Sequence, residues 1–209
     1  MKTKLAVIDY GMGNLRSVSK AFETCGADVT LVTSPDQVED AAGLVLPGVG
    51  ALGDCIEGLR SCNLIDLVKA WIAEDRPFFG VCLGFQALYD FSEEGAVDGL
   101  GIFPGQVKRF QLPSEYKVPH MGWNAASFSN PSDAIVDGLE SGVDQFYFVH
   151  SYYVSPENKD SSFFTTSYGK PFCSGIKLGN CVATQFHPEK SQKKGLQLYG
   201  NFLKLVENA

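Results

Sequence analysis

Along the first half of the chain, short apolar runs alternate with stretches in which apolar residues recur every three or four positions. Leu5–Asp9 is apolar and strand-like, and in Asn14–Cys25 the residues Leu15, Val18, Phe22 and Cys25 share one face of a helix. Asp28–Thr33 alternates as a strand does, Gly43–Leu46 is a short buried strand, and Asp54–Ile72 is mostly helical in pattern. Pro77–Val81 is apolar again, and Leu83–Phe91 then reads as helix. Such alternation predicts a parallel sheet with helices on both faces. After Gly95 the texture changes. The runs Gln106–Phe110, Gln145–Val149, Ser162–Ser167, Phe172–Lys177 and Cys181–Phe186 are strand-like, with turns rich in Gly, Pro, Asn and Ser between them. They predict antiparallel additions. Ser191–Glu207 closes the chain as a helix with Leu196, Tyr199, Phe202, Leu203 and Val206 on one face. No repeat, low-complexity segment or linker interrupts the pattern. The expectation is a single α/β domain over 1–209, an open and mostly parallel central sheet with antiparallel additions in the C-terminal half.

Composition narrows the partners. With 44% hydrophobic and 20% charged residues, 209 residues can bury a full core without metal or disulfide staples. A net charge of −7 speaks against nucleic acid and anionic membranes, which call for a basic face. No apolar run approaches the roughly 20 residues of a membrane span. Met1–Lys4 leads straight into the first strand without a signal-peptide pattern. The six cysteines form no Cys-x-x-Cys and read as the reduced thiols of a cytoplasmic protein. Three histidines (120, 150, 187) leave little for a metal site, and neither metal nor cofactor is expected.

The chemistry centres on Gly80-Val81-Cys82-Leu83-Gly84, where a strand turns sharply into a helix. This is the form of a nucleophile elbow, with glycines on both flanks because the turn leaves no room for side chains. Cys82 stands at the apex beside the Leu83 N–H, at a helix N-terminus that favours thiolate. The pentapeptide alone equally suits a buried core cysteine between close-packing glycines. Sites in open α/β sheets lie beyond the carboxyl ends of the strands. Asp9–Asn14, Pro47–Gly50, the elbow and Gln185–Ser191 all fall there. In the last, His187 and Glu189 stand two apart at a strand end, about 6.6 Å along it and on the same side. That is a base with an orienting carboxylate. The alternative is a surface histidine beside a solvated glutamate.

Gly80–Gln86 together with Gln185-Phe186-His187-Pro188-Glu189 resembles the class I (triad) glutamine amidotransferases. Ile8–Leu15, Leu46–Gly50, Pro119–Asn124, Phe146–Tyr152 and Phe186–Gln192 are similar, within that class, to the glutaminase subunits of imidazole glycerol phosphate synthase. Ala183-Thr184 departs from the Gly-Val pair common before Gln185. The resemblance implies that Cys82, His187 and Glu189 form the triad. Leu83 N–H and the loop of Gly48, Val49 and Gly50 would supply the oxyanion donors, each worth about 3–4 kcal/mol of barrier. Gln86 and Glu94 would hold the amino-acid end of glutamine, and His150, Ser151 and Tyr152 would line its pocket. His150 remains an alternative base, since spacing does not show its reach to Cys82. The partner implied is a (β/α)8-barrel cyclase, met by a face containing Tyr10, Met12, Asn14, Arg16, Met121 and Trp123. Trp123 is either an interface anchor or a core residue. A cysteine hydrolase, a non-catalytic scaffold, and a paralogue that feeds ammonia to a sugar-nucleotide amidating barrel are the other readings.

Overall fold

The structure, a computed structural model, describes residues 2–38 and 40–209. Met1 and Glu39, both inside the domain expected over 1–209, lie outside the described residues. The first half builds β1 (Lys4–Ile8), α1 (Leu15–Thr24), β2 (Asp28–Val32), β3 (Gly43–Leu46), α2 (Leu52–Ser61), α3 (Ile65–Ala73), β4 (Phe78–Val81) and α4 (Leu83–Gln86). Then come β5 (Tyr89–Ser92), β6 (Val97–Asp98), β7 (Phe103–Arg109), β8 (His120–Ala125), β9 (Ser127–Phe128) and β10 (Gln145–His150). The chain ends with β11 (Tyr152–Pro156), β12 (Ser162–Tyr168), β13 (Lys170–Leu178), β14 (Cys181–Thr184) and α5 (Gln192–Asn208).

The main sheet runs β2-β1-β3-β4-β14-β13-β11-β7-β5-β6, with β12 and β9 branching from β13. From β2 to β14 all neighbours are parallel. Beyond β14 the pairings are antiparallel, except β5 beside β7. The expected division between a parallel half and antiparallel additions is therefore present. β8 and β10 form a separate antiparallel ribbon, from Gln145 opposite Ala125 to His150 opposite His120.

Strand alternation sorts two cores. Leu5 and Val7 face Val18 and Phe22 of α1 and Tyr199 and Phe202 of α5. Ala6 and Ile8 join Ile56, Val68, Trp71 and Phe85 on the other side, from α2, α3 and α4. The first core is dense in aromatics: Phe22 stacks on Tyr199 at 4.0 Å, and Phe79 of β4 meets Tyr199 and Phe202 edge-on at 5.2 and 5.1 Å. Such pairs add about 0.5–1.5 kcal/mol each beyond their buried area. Strand β4, which leads to Cys82, is thereby fixed from below.

Three sequence expectations change. Asp54–Ile72 is two helices, broken where Asn63 takes φ 56° and Leu64 N–H turns back to the Leu59 carbonyl at 2.9 Å. Asparagine accepts that left-handed position more readily than most residues. The helix expected over Leu83–Phe91 lasts one turn. Leu100, Ile102 and Phe103 N–H groups bond to the Ala87 and Leu88 carbonyls, and Tyr89 then pairs with Phe103 as strand. A short apolar run does not distinguish helix from strand, and the long-range pairing decides it. Finally, β6, β8, β9 and β11 were not anticipated: β6 and β9 have two residues each, Gly122 lies within β8, and β11 ends at Pro156.

Glycine substitutions test this packing in opposite directions. A Cβ on Gly84 would overlap the Leu46 carbonyl oxygen, a backbone atom that cannot step aside, whereas one on Gly200 in α5 would meet nothing within 4 Å. Gly84→Ala should cost about 3 kcal/mol or more, and Gly200→Ala should gain about 0.5–1 kcal/mol. Urea denaturation of both variants checks the pair.

Candidate active site

β4 delivers Cys82 into a turn where it takes φ 52°, ψ −101°. A non-glycine residue at such a dihedral carries strain of order 1–3 kcal/mol. Its surroundings hold it there. Cys82 N–H donates to the Thr184 carbonyl at 2.7 Å, and its carbonyl accepts from Phe85 and Gln86 N–H at 3.1 Å each. Glycines before the turn and in the facing Pro47–Gly50 loop are required by close approach. A Cβ on Gly80 would lie 3.1 Å from the Ala183 Cβ, and one on Gly48 would lie 2.6 Å from the Leu83 Cβ. One expectation weakens: α4 has four residues, so little macrodipole stands behind Cys82.

His187 and Glu189 meet for a different reason than strand alternation. β14 ends at Thr184, and His187 caps the 3-10 turn Pro188–Lys190. That turn brings Glu189 beneath the imidazole, whose Nδ1–H donates to Glu189 Oε1 at 2.8 Å. Their side chains are 1% and 0% exposed. Tyr199 O–H donates to Glu189 Oε2 at 3.4 Å. Burial, and then the Glu189 charge, hold the Tyr199 phenol protonated. His187 N–H donates to the Tyr147 carbonyl at 2.9 Å, and Ser191 O–H donates to the His187 carbonyl at 2.6 Å. Burial works against the imidazolium, but the Cys82 sulfur and the Glu189 carboxylate outweigh it and raise the ring's pKa to about 10. Nε2 itself has no hydrogen-bond partner among the described residues.

Cys82 and His187 face a cleft of about 430 Å³, within the range of small-molecule sites. Leu83, Val49, Gly50, Gln86, Glu94, His150, Ser151 and Tyr152 line it too, joined by Pro119, Val149 and Lys190, which the sequence reading did not single out. Among the described residues, the N–H groups of Leu83, Val49 and Gly50 donate to no protein acceptor. Gly50 has φ 102°. Gln86 spends both amide hydrogens, on the Tyr152 carbonyl at 3.0 Å and on Gln185 Oε1 at 2.9 Å. Its oxygen is what remains for a ligand. Glu94 Oε2 accepts from Leu52 N–H at 3.1 Å. Gln185 was missed as a site residue; its amide nitrogen lies 3.5 Å from Cys82 Sγ. Its place two before His187 was the only signal.

His150 does not serve as the alternative base. Its Nδ1–H donates to the Tyr152 carbonyl at 2.7 Å, so Nε2 is the acceptor for His120 Nδ1–H at 3.1 Å. His120 Nε2 in turn accepts from Asn124 Nδ2 at 3.3 Å. Both rings are neutral in this arrangement. Burial lowers His150 to about 3 and His120 to about 4. Of the expected partner face, Tyr10 is also a correction, since it is only 5% exposed and packs in the second core. Met12 and Asn14 are half-buried and Arg16 exposed. Met121 and Trp123 are 62% and 45% exposed, so Trp123 is no core residue. Among the described residues no cluster of His, Cys, Asp and Glu has the makings of a metal site, and no helix is long and apolar enough to cross a membrane.

A strained cysteine after a parallel strand and a carboxylate-backed imidazole thus line one cleft. The family model for glutamine amidotransferase class-I matches residues 6–205, and the chain belongs to that family. It is 49% identical over 206 residues to the imidazole glycerol phosphate synthase subunit HisH of Aquifex aeolicus, covering 98% of each chain. It is 47% identical over 200 residues to the subunit of that name from Rhodopirellula baltica, covering 95% of this chain and 96% of the relative. In fold it is similar to PurLQS from Thermotoga maritima, with a TM-score of 0.76 at 19% identity over 98% of this chain and 99% of the other. A solved glutamine amidotransferase gives 0.72 at 18% identity, over 97% and 98%.

The buried histidine pair gives a pH dependence with a definite sign. His120 and His150 have folded pKa values of about 4 and about 3, against about 6.5 when unfolded. Below that value the unfolded chain takes up protons that the folded chain does not. Stability should therefore fall between about pH 6.5 and 5, by up to roughly 2 kcal/mol per histidine at the lower end. His187, with its pKa raised, has the opposite sign: its contribution is complete below about 6.5 and lost as pH rises toward about 10. Urea denaturation across the acid window should show a flatter slope in His120→Gln than in the parent chain.

Proposed function

We propose that this chain is the glutaminase subunit of an imidazole glycerol phosphate synthase. It acts as a single domain in the cytoplasm and passes ammonia to a (β/α)8-barrel cyclase in histidine biosynthesis. The observation that carries the reading is the meeting of Cys82 with the buried His187–Glu189 pair at one cleft. Near-full-length identity to HisH subunits supports the choice within the family. The described cysteines are all free, which suits a reducing compartment.

Glutamine enters with its side-chain amide toward Cys82. The sulfur attacks the amide carbon, and the thiol proton resides on His187 Nε2, the ring nitrogen left without a partner. The tetrahedral oxyanion is stabilised by the N–H groups of Leu83 and of Val49 or Gly50. His187 then gives its proton to the departing nitrogen, the C–N bond breaks, and ammonia leaves behind a γ-glutamyl thioester. A water molecule, deprotonated by His187, attacks the thioester and releases glutamate and Cys82. Glu189 orients and stabilises the imidazolium throughout without taking its proton. The Gln86 oxygen and Glu94 are suited to the α-ammonium of the substrate.

Partner binding has two routes to the site. Met12, on the expected partner face, packs so close to Gly50 that a Cβ there would lie 2.8 Å from its terminal methyl. Exposed Trp123 rests edge-on against Tyr147 at 6.1 Å, and the Tyr147 carbonyl holds His187 N–H. A cyclase that contacts Met12 or Trp123 thus bears on the oxyanion loop or the base by contact with its immediate neighbours. Such coupling works through differential contacts with two states of the loop.

Cys82→Ala should lower glutamine-dependent synthesis by at least about 1,000-fold while ammonium-dependent synthesis by the complex persists. His187→Asn should be nearly as damaging. Glu189→Gln should be milder, by about 10–100-fold, because the carboxylate does not carry the proton. Glutamine turnover that survives in Cys82→Ala would overturn the nucleophile. Glutamate release should be slow from the isolated chain and should rise on adding the cyclase and its nucleotide. Full activity in isolation would show a preformed oxyanion site.

A further inference from the structure

Gln185 is fully buried, and the reaction above gives it no part. Its main chain runs on from β14, with its N–H donated to the Ser174 carbonyl at 2.9 Å. Its side chain reaches the elbow, placing Nε2 3.5 Å from Cys82 Sγ. Which end of the amide faces the sulfur follows from hydrogen bonds that run in only one direction. The Tyr152 carbonyl can only accept, so Gln86 presents its NH2 there. The same nitrogen lies 2.9 Å from Gln185, so the Gln185 atom it meets is the oxygen. The Gln185 nitrogen is left pointing at Cys82. Reversal would set two NH2 groups against each other in a buried site, leaving donors unsatisfied, and would turn an amide oxygen onto the sulfur.

We propose that Gln185 is a positioning residue for the nucleophile, its N–H aiming Cys82 Sγ and stabilising negative charge on it. The proposal rests on Cys82 being the nucleophile. A hydrogen bond to an ion is stronger than one to a neutral acceptor. The contact is therefore strongest when sulfur is anionic, before attack and again as the thioester breaks, and weaker while sulfur is acylated. Gln185 assists the entry and the departure of the same atom and exchanges no proton. Gln86 then has a second task besides its oxygen in the cleft. It locks the direction of the Gln185 amide.

The test is alkylation of Cys82 by iodoacetamide in the full chain across neutral pH, with the Cys82 peptide quantified by mass spectrometry. Gln185→Met keeps length and volume but removes the donor. Gln185→Glu keeps the shape and the acceptor toward Gln86 but turns an oxygen toward the sulfur. At neutral pH the alkylation rate should fall by about tenfold in Gln185→Met and further in Gln185→Glu, with both pH profiles moved to the alkaline side. A merely structural role would make the closer mimic, Glu, the milder change and leave the profiles in place; either outcome overturns the proposal. Thermal unfolding confirms that the variants are folded. Should both unfold, Gln86→Met, which frees the Gln185 amide to turn, should move the profile the same way, and an unmoved profile counts against the proposal. Glutamine turnover by Cys82→Ala in the complex separates the two claims. If it persists, the nucleophile assignment fails. If it is lost while the Gln185 variants alkylate like the parent, only the role of Gln185 falls.

Discussion

The close approach of the β4–α4 turn to the end of β3 is the constraint on which the site depends. Gly84 packs onto the Leu46 carbonyl so tightly that no side chain fits, and Gly48 packs as tightly onto Leu83. This contact sets the position of Cys82 relative to the Pro47–Gly50 loop, because one side of it carries the nucleophile and the other the loop. The left-handed dihedral of Cys82 is a consequence. The chain must reverse within one residue to meet β3, and the bond from Cys82 N–H to Thr184 keeps it there. Thr184 belongs to β14, the strand that leads to His187. The backbone strain of Cys82 is thus borne by the strands on either side of β4.

The proposed base is held by elements outside the parallel sheet. His187 is bonded through its main chain to Tyr147 of the β8–β10 ribbon, and Ser191 ties the same two residues together from the start of α5. Glu189 is met by Tyr199 of α5. Cys82, His187 and Glu189 therefore join the parallel half, the ribbon and the last helix. Exposed Met121 and Trp123 stand on the ribbon, one strand from His187. A partner seated there would touch the base's support without entering the cleft.

The parallel half was legible in the sequence because its signals are local: apolar runs of strand length, helical periodicity in Asn14–Cys25, and a glycine on each side of Cys82. Where contacts distant in sequence decide, the pattern misled. Tyr89–Phe91 has the composition of a helix continuation, yet pairing with Phe103 and Gln106 draws it into the sheet. His187 and Glu189 were paired correctly for an incorrect reason, since a turn rather than a strand joins them. Tyr10 was placed on the partner face by the resemblance of its segment, but its ring fills the space beneath Gly48 and Gly58. Gln185 carried no motif meaning of its own. Only the side-chain bonds to Gln86 and Cys82 bring it out, and no periodicity encodes those.

The polar groups of the site divide into those already partnered and those left open, and the division suggests where motion belongs. His150, His120, Gln86 and Gln185 form an unbroken run of bonds from Asn124 to the Cys82 sulfur, each donor matched to an acceptor. To move one member alone would leave a buried donor unpaired, at a cost of about 1–3 kcal/mol. The Cys82 side of the cleft is therefore stiff. The Pro47–Gly50 loop has no such bonds at Val49 and Gly50, and it ends in a glycine at φ 102° that other residues rarely adopt. Its N–H groups can turn without breaking protein hydrogen bonds. In the proposed reaction, regulation would then act through the oxyanion donors, with the thiol and base poised in both states. A loop held at its tip by packing, against Met12, Tyr10 and Leu83 among others, is a place where a partner can act through contact alone.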